Sequence, residues 1–109
     1  MTISIKELSF KTIIGLLEFE RTTPQKVIVR AHIDYVYKNK DSFIDYALLV
    51  QLIETTMHKE KFELIETSLN ELFNLISLKY SSIQRLFIKI SKPDILPNCR
   101  VSVSKVKIY

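Results

Sequence analysis

Apolar and polar residues alternate over the first third of the chain. The alternation runs through Thr2–Ile14 but slips between Ile5 and Leu8, which predicts one long strand that carries a bulge. It is regular over Val27–Tyr35, which predicts a second strand with one apolar and one mostly polar face. The connecting residues, Gly15–Pro24, end in turn-forming residues, so the two strands should form an antiparallel hairpin with a wide loop.

The spacing of the apolar residues changes to a helical period in the middle of the chain. A polar loop, Tyr37–Ser42, separates this part from the hairpin. Asp45 can accept hydrogen bonds from first-turn N–H groups, so we expect it to cap a helix over Tyr46–Lys59. A second amphipathic helix is expected over Glu66–Tyr80.

Two further stretches of alternation predict strands near the end of the chain. The first covers Ile83–Ser91 and the second covers Val101–Ile108. In the second stretch the apolar positions change parity near Lys105, which predicts a bulge there. Pro93 follows the first stretch and should stop its hydrogen-bond ladder, because proline has no N–H to donate.

The order of these elements, ββααββ, predicts an α+β fold in which one four-stranded antiparallel sheet carries two helices on one face. A length of 109 residues fits a single domain over residues 1–109. Such a sheet leaves two edge strands unpaired, and closing several sheets into a ring would pair them. We therefore expect a homo-oligomer.

Composition excludes several classes of function. The only glycine is Gly15, whereas phosphate-binding loops and dinucleotide-binding turns need several. The net charge of +4 favours anionic partners, but acidic and basic residues are interleaved without an aromatic platform, so nucleic-acid binding is not expected. The longest apolar run, Ala47–Val50, is far too short to cross a membrane.

The single cysteine, Cys99, points to a reducing environment. One thiol cannot form an internal disulfide, so a cytoplasmic location is expected. We expect this thiol to be a small buried group rather than a reactive one. Two early charged residues, Lys6 and Glu7, argue against a signal peptide.

The sequence contains neither the motif of a metal site nor that of a serine hydrolase. The two histidines, His32 and His58, lie in a predicted strand and a predicted helix without the spacing of a metal site, so no metal or other cofactor is expected. No serine is flanked by the glycines of a nucleophile elbow.

Four polar side chains near the ends of predicted elements remain as candidates for catalysis. Glu20 lies in the wide loop, Tyr46 and Glu66 lie at helix starts, and Lys92 ends the third strand. An amine such as that of Lys92, held on a stiff backbone, can be desolvated enough to exchange protons near neutral pH. Taken singly, Glu20, Glu66 and Lys92 also fit solvated surface charges, and Tyr46 also fits an amphipathic anchor.

Four segments of the chain together carry a family resemblance. They are Ile14–Arg21, Asp45-Tyr46 before a helix, Phe62–Glu66 and Ile90–Pro93. In this order they resemble the signature segments of bacterial dihydroneopterin aldolases, and the resemblance covers nearly the whole chain. It implies the tunnelling fold (T-fold), which has the element order predicted above. It also implies a ring-like barrel of four subunits, doubled to an octamer, with the active site at the subunit interface.

The resemblance implies a lyase of folate synthesis. Such an enzyme splits 7,8-dihydroneopterin into 6-hydroxymethyl-7,8-dihydropterin and glycolaldehyde by a retro-aldol reaction, with neither a metal nor a Schiff base. The pterin ring itself serves as the electron sink, so the protein mainly moves protons. Epimerisation of the same substrate at its 2′ carbon is implied as a side activity, because cleavage and re-addition share an intermediate.

One group of residues is expected to bind the pterin. The ring presents an amino group beside a ring N–H, and a carboxylate can accept both hydrogen bonds at once. Glu66 is the residue that we expect to do so. Leu64 and Ile65 should add backbone groups and an apolar wall for the flat ring.

The resemblance assigns proton transfer to three residues. Lys92 is expected to act as the acid/base that handles the side-chain hydroxyl proton. Glu20 should orient the hydroxylated tail of the substrate, or a water beside Lys92. Tyr46 should reach in from a neighbouring subunit and help to protonate the enol intermediate.

The sequence also departs from the family pattern. Leu17 stands where many relatives carry an aromatic residue or histidine, Phe19 stands where tryptophan is frequent, and the Tyr37–Ser42 loop is short. Two alternative functions stay open. One is a dihydroneopterin triphosphate 2′-epimerase, which the positive net charge favours and Ser91–Pro93 disfavours. The other is a non-catalytic basic binding module.

Overall fold

Four strands and two helices make up the fold. The structure, a computed structural model, describes all 109 residues. In chain order the elements are β1 (Thr2–Thr12), β2 (Gln25–Tyr35), α1 (Tyr46–Glu60), α2 (Ile65–Lys79), β3 (Ile83–Lys92) and β4 (Val101–Ile108). The strands form one antiparallel sheet in the order β1-β2-β3-β4, which leaves β1 and β4 as its edges. The predicted ββααββ arrangement is confirmed.

The β1–β2 hairpin has the predicted bulge and a more ordered loop than expected. The pairing register shifts between Ile5 and Leu8, where the alternation of apolar residues slips. β1 ends two residues before Ile14, whose side chain is nevertheless fully buried. Within the wide loop, Glu18–Arg21 form one short 3-10 helix that the sequence pattern did not indicate.

The two helices begin and end close to the predicted residues. Asp45 caps α1, because its Oδ1 accepts a hydrogen bond from the backbone N–H of Ala47 at 2.9 Å. α1 ends at Glu60, and the capping residue Lys61 adopts the left-handed conformation with φ of 46°. Neither helix is long and apolar enough to cross a membrane.

The core lies between the helices and one face of the sheet. Twenty buried apolar residues form one cluster, to which β2, β3 and the inner stripes of both helices contribute. Burying a leucine or isoleucine side chain contributes about 1.5–3 kcal/mol, so this cluster is the main source of stability. The opposite face of the sheet, called here the open face, carries no helix.

The predicted bulge near Lys105 is wrong. β3 and β4 pair in one continuous register from Lys92↔Val101 to Arg85↔Ile108. Lys105 keeps its place on the helix-covered face, because its long side chain crosses the ring of Phe73 and its amine reaches Asn70 Oδ1 at 2.8 Å. The apolar residues after it therefore lie exposed on the open face.

The connection between β3 and β4 lies on the surface. Cys99 is exposed in it, so the prediction of a buried thiol is wrong. The physical reason is its place in a surface loop, where no element packs over the side chain. The strand before this loop ends at Lys92, directly before Pro93, as predicted.

Candidate active site

A buried ion pair joins two of the four predicted site residues. Lys92 Nζ donates a hydrogen bond to Glu20 Oε2 at 2.7 Å, although 72 residues separate them in the chain. The lysine side chain is 10% exposed and the glutamate side chain 4% exposed. It is the one salt bridge in the structure. A buried charge pair is costly to desolvate, so its presence favours a chemical role over a stabilising one.

The end of β3 positions the lysine. Ile88, Ile90 and Lys92 alternate toward the helix-covered face, so the lysine side chain continues the apolar row to the margin of the core. Because Pro93 ends the strand, the amine lies at the rim of the sheet rather than deep within it.

Two further donors hold the carboxylate of Glu20 in place. The backbone N–H of Leu17 donates to Oε1 at 3.1 Å, and Gln25 Nε2 donates to Oε2 at 2.7 Å. The same Gln25 amide also donates to the carbonyl of Ile14 at 2.7 Å. With Lys92, the carboxylate thus accepts three hydrogen bonds and has a fixed orientation.

These contacts set the protonation state of Glu20. Burial by itself raises the pKa of the carboxyl group. The hydrogen bonds from Lys92, Gln25 and the Leu17 N–H outweigh burial, so the pKa of Glu20 lies below its ordinary value of 4.5. The carboxylate of Glu20 is therefore ionised near neutral pH.

Arg21 ties the loop that carries Glu20 to the connection between α1 and α2. Its guanidinium donates to the carbonyls of Gly15 at 3.0 Å, Phe62 at 3.3 Å and Lys61 at 2.8 Å. The N–H of Gly15 also donates to the Phe62 carbonyl at 3.0 Å. One arginine thus sets the carboxylate loop against the segment that leads into α2.

The residues predicted to bind a pterin lie at the start of α2. Leu64 is the N-cap residue and is partly exposed, whereas the side chain of Ile65 is buried. Glu66 lies exposed in the first turn, where the helix dipole favours a carboxylate, and it makes no side-chain hydrogen bond within the chain. This carboxylate is therefore free to accept donors from a ligand.

Tyr46 lies apart from the ion pair. It is the first residue of α1, its side chain is 67% exposed, and it makes no side-chain hydrogen bond. Within one chain the structure brings together Glu20 and Lys92, while Tyr46 and Glu66 point to open surface. Of the four candidates, only Glu20 and Lys92 are in direct contact within one chain.

Two depressions flank the carboxylate loop. One, of about 560 Å³, is lined by Leu17, Glu18, Phe19 and Thr22. Another, of about 600 Å³, includes Arg21 and Leu64 among its lining residues. Both volumes are in the range of small-molecule sites, and the exposed apolar side chains of Leu17 and Phe19 suit a flat ring or a second protein surface.

Sequence reasoning did not assign roles to Arg21 and Gln25. Both lie in or next to the first signature segment, but their partners are carbonyls and a carboxylate that only the folded loop brings near. The requirement that a buried carboxylate have several donors could have pointed to Gln25, whereas no sequence signal indicates the carbonyl partners of Arg21. The structure contains no group of three or more His, Cys, Asp or Glu side chains that could hold a metal ion.

The sequence over residues 3–109 matches the family model of dihydroneopterin aldolase. No curated protein sequence is significantly similar to this chain. The match to the family model covers both edges of the sheet, both helices and all four candidate residues.

Solved structures support the same fold. A Vibrio cholerae protein assigned as a dihydroneopterin aldolase is 22% identical with a TM-score of 0.89, over 100% of this chain and 98% of that one. The Escherichia coli dihydroneopterin aldolase, in complex with neopterin, is 22% identical with a TM-score of 0.82, over 98% of each chain. A Burkholderia thailandensis dihydroneopterin aldolase bound to guanine is 18% identical with a TM-score of 0.81, over 100% of this chain and 91% of that one. At these identities the similarity establishes the T-fold.

Proposed function

The chain belongs to the dihydroneopterin aldolase family and is a lyase with the activity of that family, and we propose how its residues divide the reaction. The observation that supports the proposal is the buried pair of Glu20 and Lys92, whose side-chain atoms lie 2.7 Å apart at the rim of the sheet. An isolated buried pair of this kind fits proton transfer better than it fits stability.

Glu66 recognises the pterin ring. Its carboxylate is exposed in the first turn of α2 and has no partner in the chain. A pterin offers an amino group and a ring N–H on one edge, which a carboxylate accepts as a bidentate pair. Leu64 and Ile65 precede it and supply backbone groups and an apolar wall.

Glu20 and Lys92 handle the proton of the 2′-hydroxyl group. In the resting pair the carboxylate of Glu20 is ionised and accepts a hydrogen bond from Lys92 Nζ. When the tail of the substrate enters, Glu20 accepts a hydrogen bond from the hydroxyl group or from a water beside it. Lys92 releases a proton to solvent through that water, and its neutral amine then takes the hydroxyl proton as general base.

Cleavage then proceeds through the pterin ring. The C1′–C2′ bond breaks, its electrons pass into the ring system, and C2′ and C3′ leave as glycolaldehyde. Tyr46 of a neighbouring copy helps to return a proton to C1′, which yields the hydroxymethyl product. If glycolaldehyde adds back to the same intermediate through the opposite face of its carbonyl group, the product is the 2′-epimer, which is the side reaction.

The reaction uses neither a metal nor a Schiff base. The ring of the substrate already contains the imine that accepts the electrons, so no protein amine has to supply one.

The working enzyme is a homo-oligomer in which four chains form a ring and two rings form an octamer. The unpaired edges of β1 and β4 support ring closure, because strand pairing between copies satisfies their backbone groups. The exposure of Tyr46, Leu17 and Phe19 supports an interface beside the site. We also propose a cytoplasmic location, because the single cysteine cannot form an internal disulfide.

One assay tests this function against its alternatives. The purified protein is incubated with 7,8-dihydroneopterin, and glycolaldehyde and 6-hydroxymethyl-7,8-dihydropterin are measured, with and without a chelator and with borohydride as a trap for Schiff bases. We expect both products in every arm and no covalent adduct. Epimerisation of the triphosphate without glycolaldehyde release would support the epimerase alternative, and salt-sensitive nucleic-acid binding without turnover would support a binding module.

A further inference from the structure

Positive charge is concentrated on the open face of the sheet. Lys6, Arg30, Lys89 and Arg100 line one depression of about 330 Å³, together with the hydroxyl groups of two serines and a single carboxylate, Glu7. None of these cations forms a salt bridge, because the one ion pair of the chain is on the other face. The lining therefore carries a net positive charge without an internal counterion.

Two of these cations are placed directly opposite each other. Arg30 on β2 and Lys89 on β3 are cross-strand partners in the pairing register. Like charges in this position destabilise a sheet. Their close approach is a cost that an anion bound between them would remove.

The orientation of Arg30 is fixed. Its Nε donates to His32 Nε2 at 3.3 Å, and His32 Nδ1 is hydrogen-bonded to Ser4 Oγ at 2.9 Å. The imidazole in turn stacks on Phe87 with ring centroids 5.7 Å apart. Because Nε has a partner, the two terminal nitrogens of the guanidinium stay free for a ligand, in the fork geometry that suits phosphate.

The positive surface is elongated. A second depression shares Arg30 and Lys89 with the first and continues to Arg85. An extended, multiply charged anion can contact both depressions at once, which a single phosphate cannot.

We propose that the open face binds a small polyphosphate anion, with Arg30 and Lys89 as the central contacts. Polyphosphate fits better than nucleic acid, because the one aromatic ring at the centre is already covered by His32 and offers no platform for bases. This site is on the opposite face of the sheet from the Glu20–Lys92 pair, and it does not depend on the roles assigned to that pair.

Calorimetry with sodium tripolyphosphate at low salt tests the proposal. We expect one binding event per chain that weakens as salt is added. Removing both central cations in Arg30→Gln/Lys89→Gln should raise the dissociation constant about tenfold or more, because charge-assisted hydrogen bonds are lost. The single variant Lys89→Gln is measured as well, so that the test survives if the double variant does not fold.

A matched control is available on the same face. Lys11 and Lys26 are also direct cross-strand partners, but they lie outside both depressions. The double variant Lys11→Gln/Lys26→Gln removes the same charge and should keep wild-type affinity. An equal loss of affinity in this control would overturn the proposal, because net charge alone would then explain binding.

Two further results would also overturn the proposed polyphosphate site. One is unchanged tripolyphosphate affinity in both the Arg30→Gln/Lys89→Gln and the Lys89→Gln proteins. The other is tighter binding of a short single-stranded oligonucleotide than of tripolyphosphate at the same salt, which would assign the face to nucleic acid instead. Aldolase activity retained in variants that no longer bind tripolyphosphate would show that the Glu20–Lys92 site is intact and separate from the anion site.

Discussion

The carboxylate of Glu20 packs directly against Gly15, so that a Cβ atom on Gly15 would overlap the carboxyl group. The glycine also has φ of +129°, which side chains of L-residues rarely adopt. The only glycine of the chain thus lies where the candidate carboxylate must approach the backbone.

Substitution Gly15→Ala should disable the site. The added methyl group forces the Glu20 carboxylate away from Lys92, and the positive φ adds strain of at least about 1 kcal/mol to the folded state. We expect a lower melting temperature and a loss of turnover on the order of that for removing the carboxylate itself. Leu16→Ala alters the next, exposed residue and should leave turnover nearly unchanged. Wild-type turnover in Gly15→Ala would show that the position of the carboxylate is unimportant.

Local periodicity predicted the elements but not the contacts of the site. The bulge between Ile5 and Leu8 could be predicted from the sequence. On a half-buried strand, an extra residue changes which positions face the core, so the alternation of apolar residues shifts by one. The same logic failed at Lys105, because a lysine stem can cover apolar surface while its amine reaches a polar partner. A shift in the alternation of apolar residues is therefore weak evidence for a bulge when the residue at the shift has a long, amphipathic side chain.

The pairing of Glu20 with Lys92 joins residues that are distant in sequence, and no local pattern encodes it. The family resemblance predicted both residues in one site. It did not predict the hydrogen bonds that Gln25 donates to Glu20 and that Arg21 donates to the Gly15 carbonyl. Those bonds depend on the path of the 3-10 helix, which consists of four residues without a periodic signal.

Lys92→Met should lower turnover by a factor on the order of 10² to 10⁴, because the general acid/base is lost. It should also destabilise the protein by about 3–5 kcal/mol, since the Glu20 carboxylate is left buried without its partner. The double variant Lys92→Met/Glu20→Gln should regain much of that stability but no activity. This split, measured by denaturant unfolding and steady-state assay, separates catalysis from folding. Lys26→Met is the control, and recovery of activity in the double variant would contradict the role of Lys92.

The lowered pKa of Glu20 gives stability a defined dependence on pH. The unfolded carboxyl group titrates near 4.5, whereas the folded group titrates below that value. The contribution of Glu20 to stability is therefore complete above pH 4.5 and decreases as the pH falls from there through the folded pKa. In Glu20→Gln this part of the pH dependence should vanish, as measured by the denaturation midpoint across acid pH. Parallel wild-type and variant curves in this window would contradict the shift.

Arg21→Lys should loosen the carboxylate loop while keeping the charge. Lysine cannot donate to the carbonyls of Gly15, Lys61 and Phe62 in one fork, so we expect a loss of about 1–3 kcal/mol in stability. Turnover should fall as well, because Glu20 is held less rigidly. Thr23→Ala, an exposed change in the same loop, is the control. Equal turnover in Arg21→Lys and wild type would show that this anchor does not position the site.

Glu66→Ala should weaken substrate binding more than it lowers the turnover of the enzyme–substrate complex. Loss of a bidentate acceptor for the pterin edge removes hydrogen bonds to a charged group, so the dissociation constant for neopterin should rise about tenfold to a hundredfold. The interaction is present in both substrate and transition state, so KM should rise with kcat changed less. Glu66→Gln keeps the shape of the side chain but only one acceptor oxygen, so its dissociation constant should lie between those of wild type and Glu66→Ala. Glu54→Ala on α1 is the control and should bind neopterin as tightly as wild type. Calorimetry with neopterin gives the binding constants, and a Glu66→Ala protein that binds neopterin as tightly as wild type would remove Glu66 from the site.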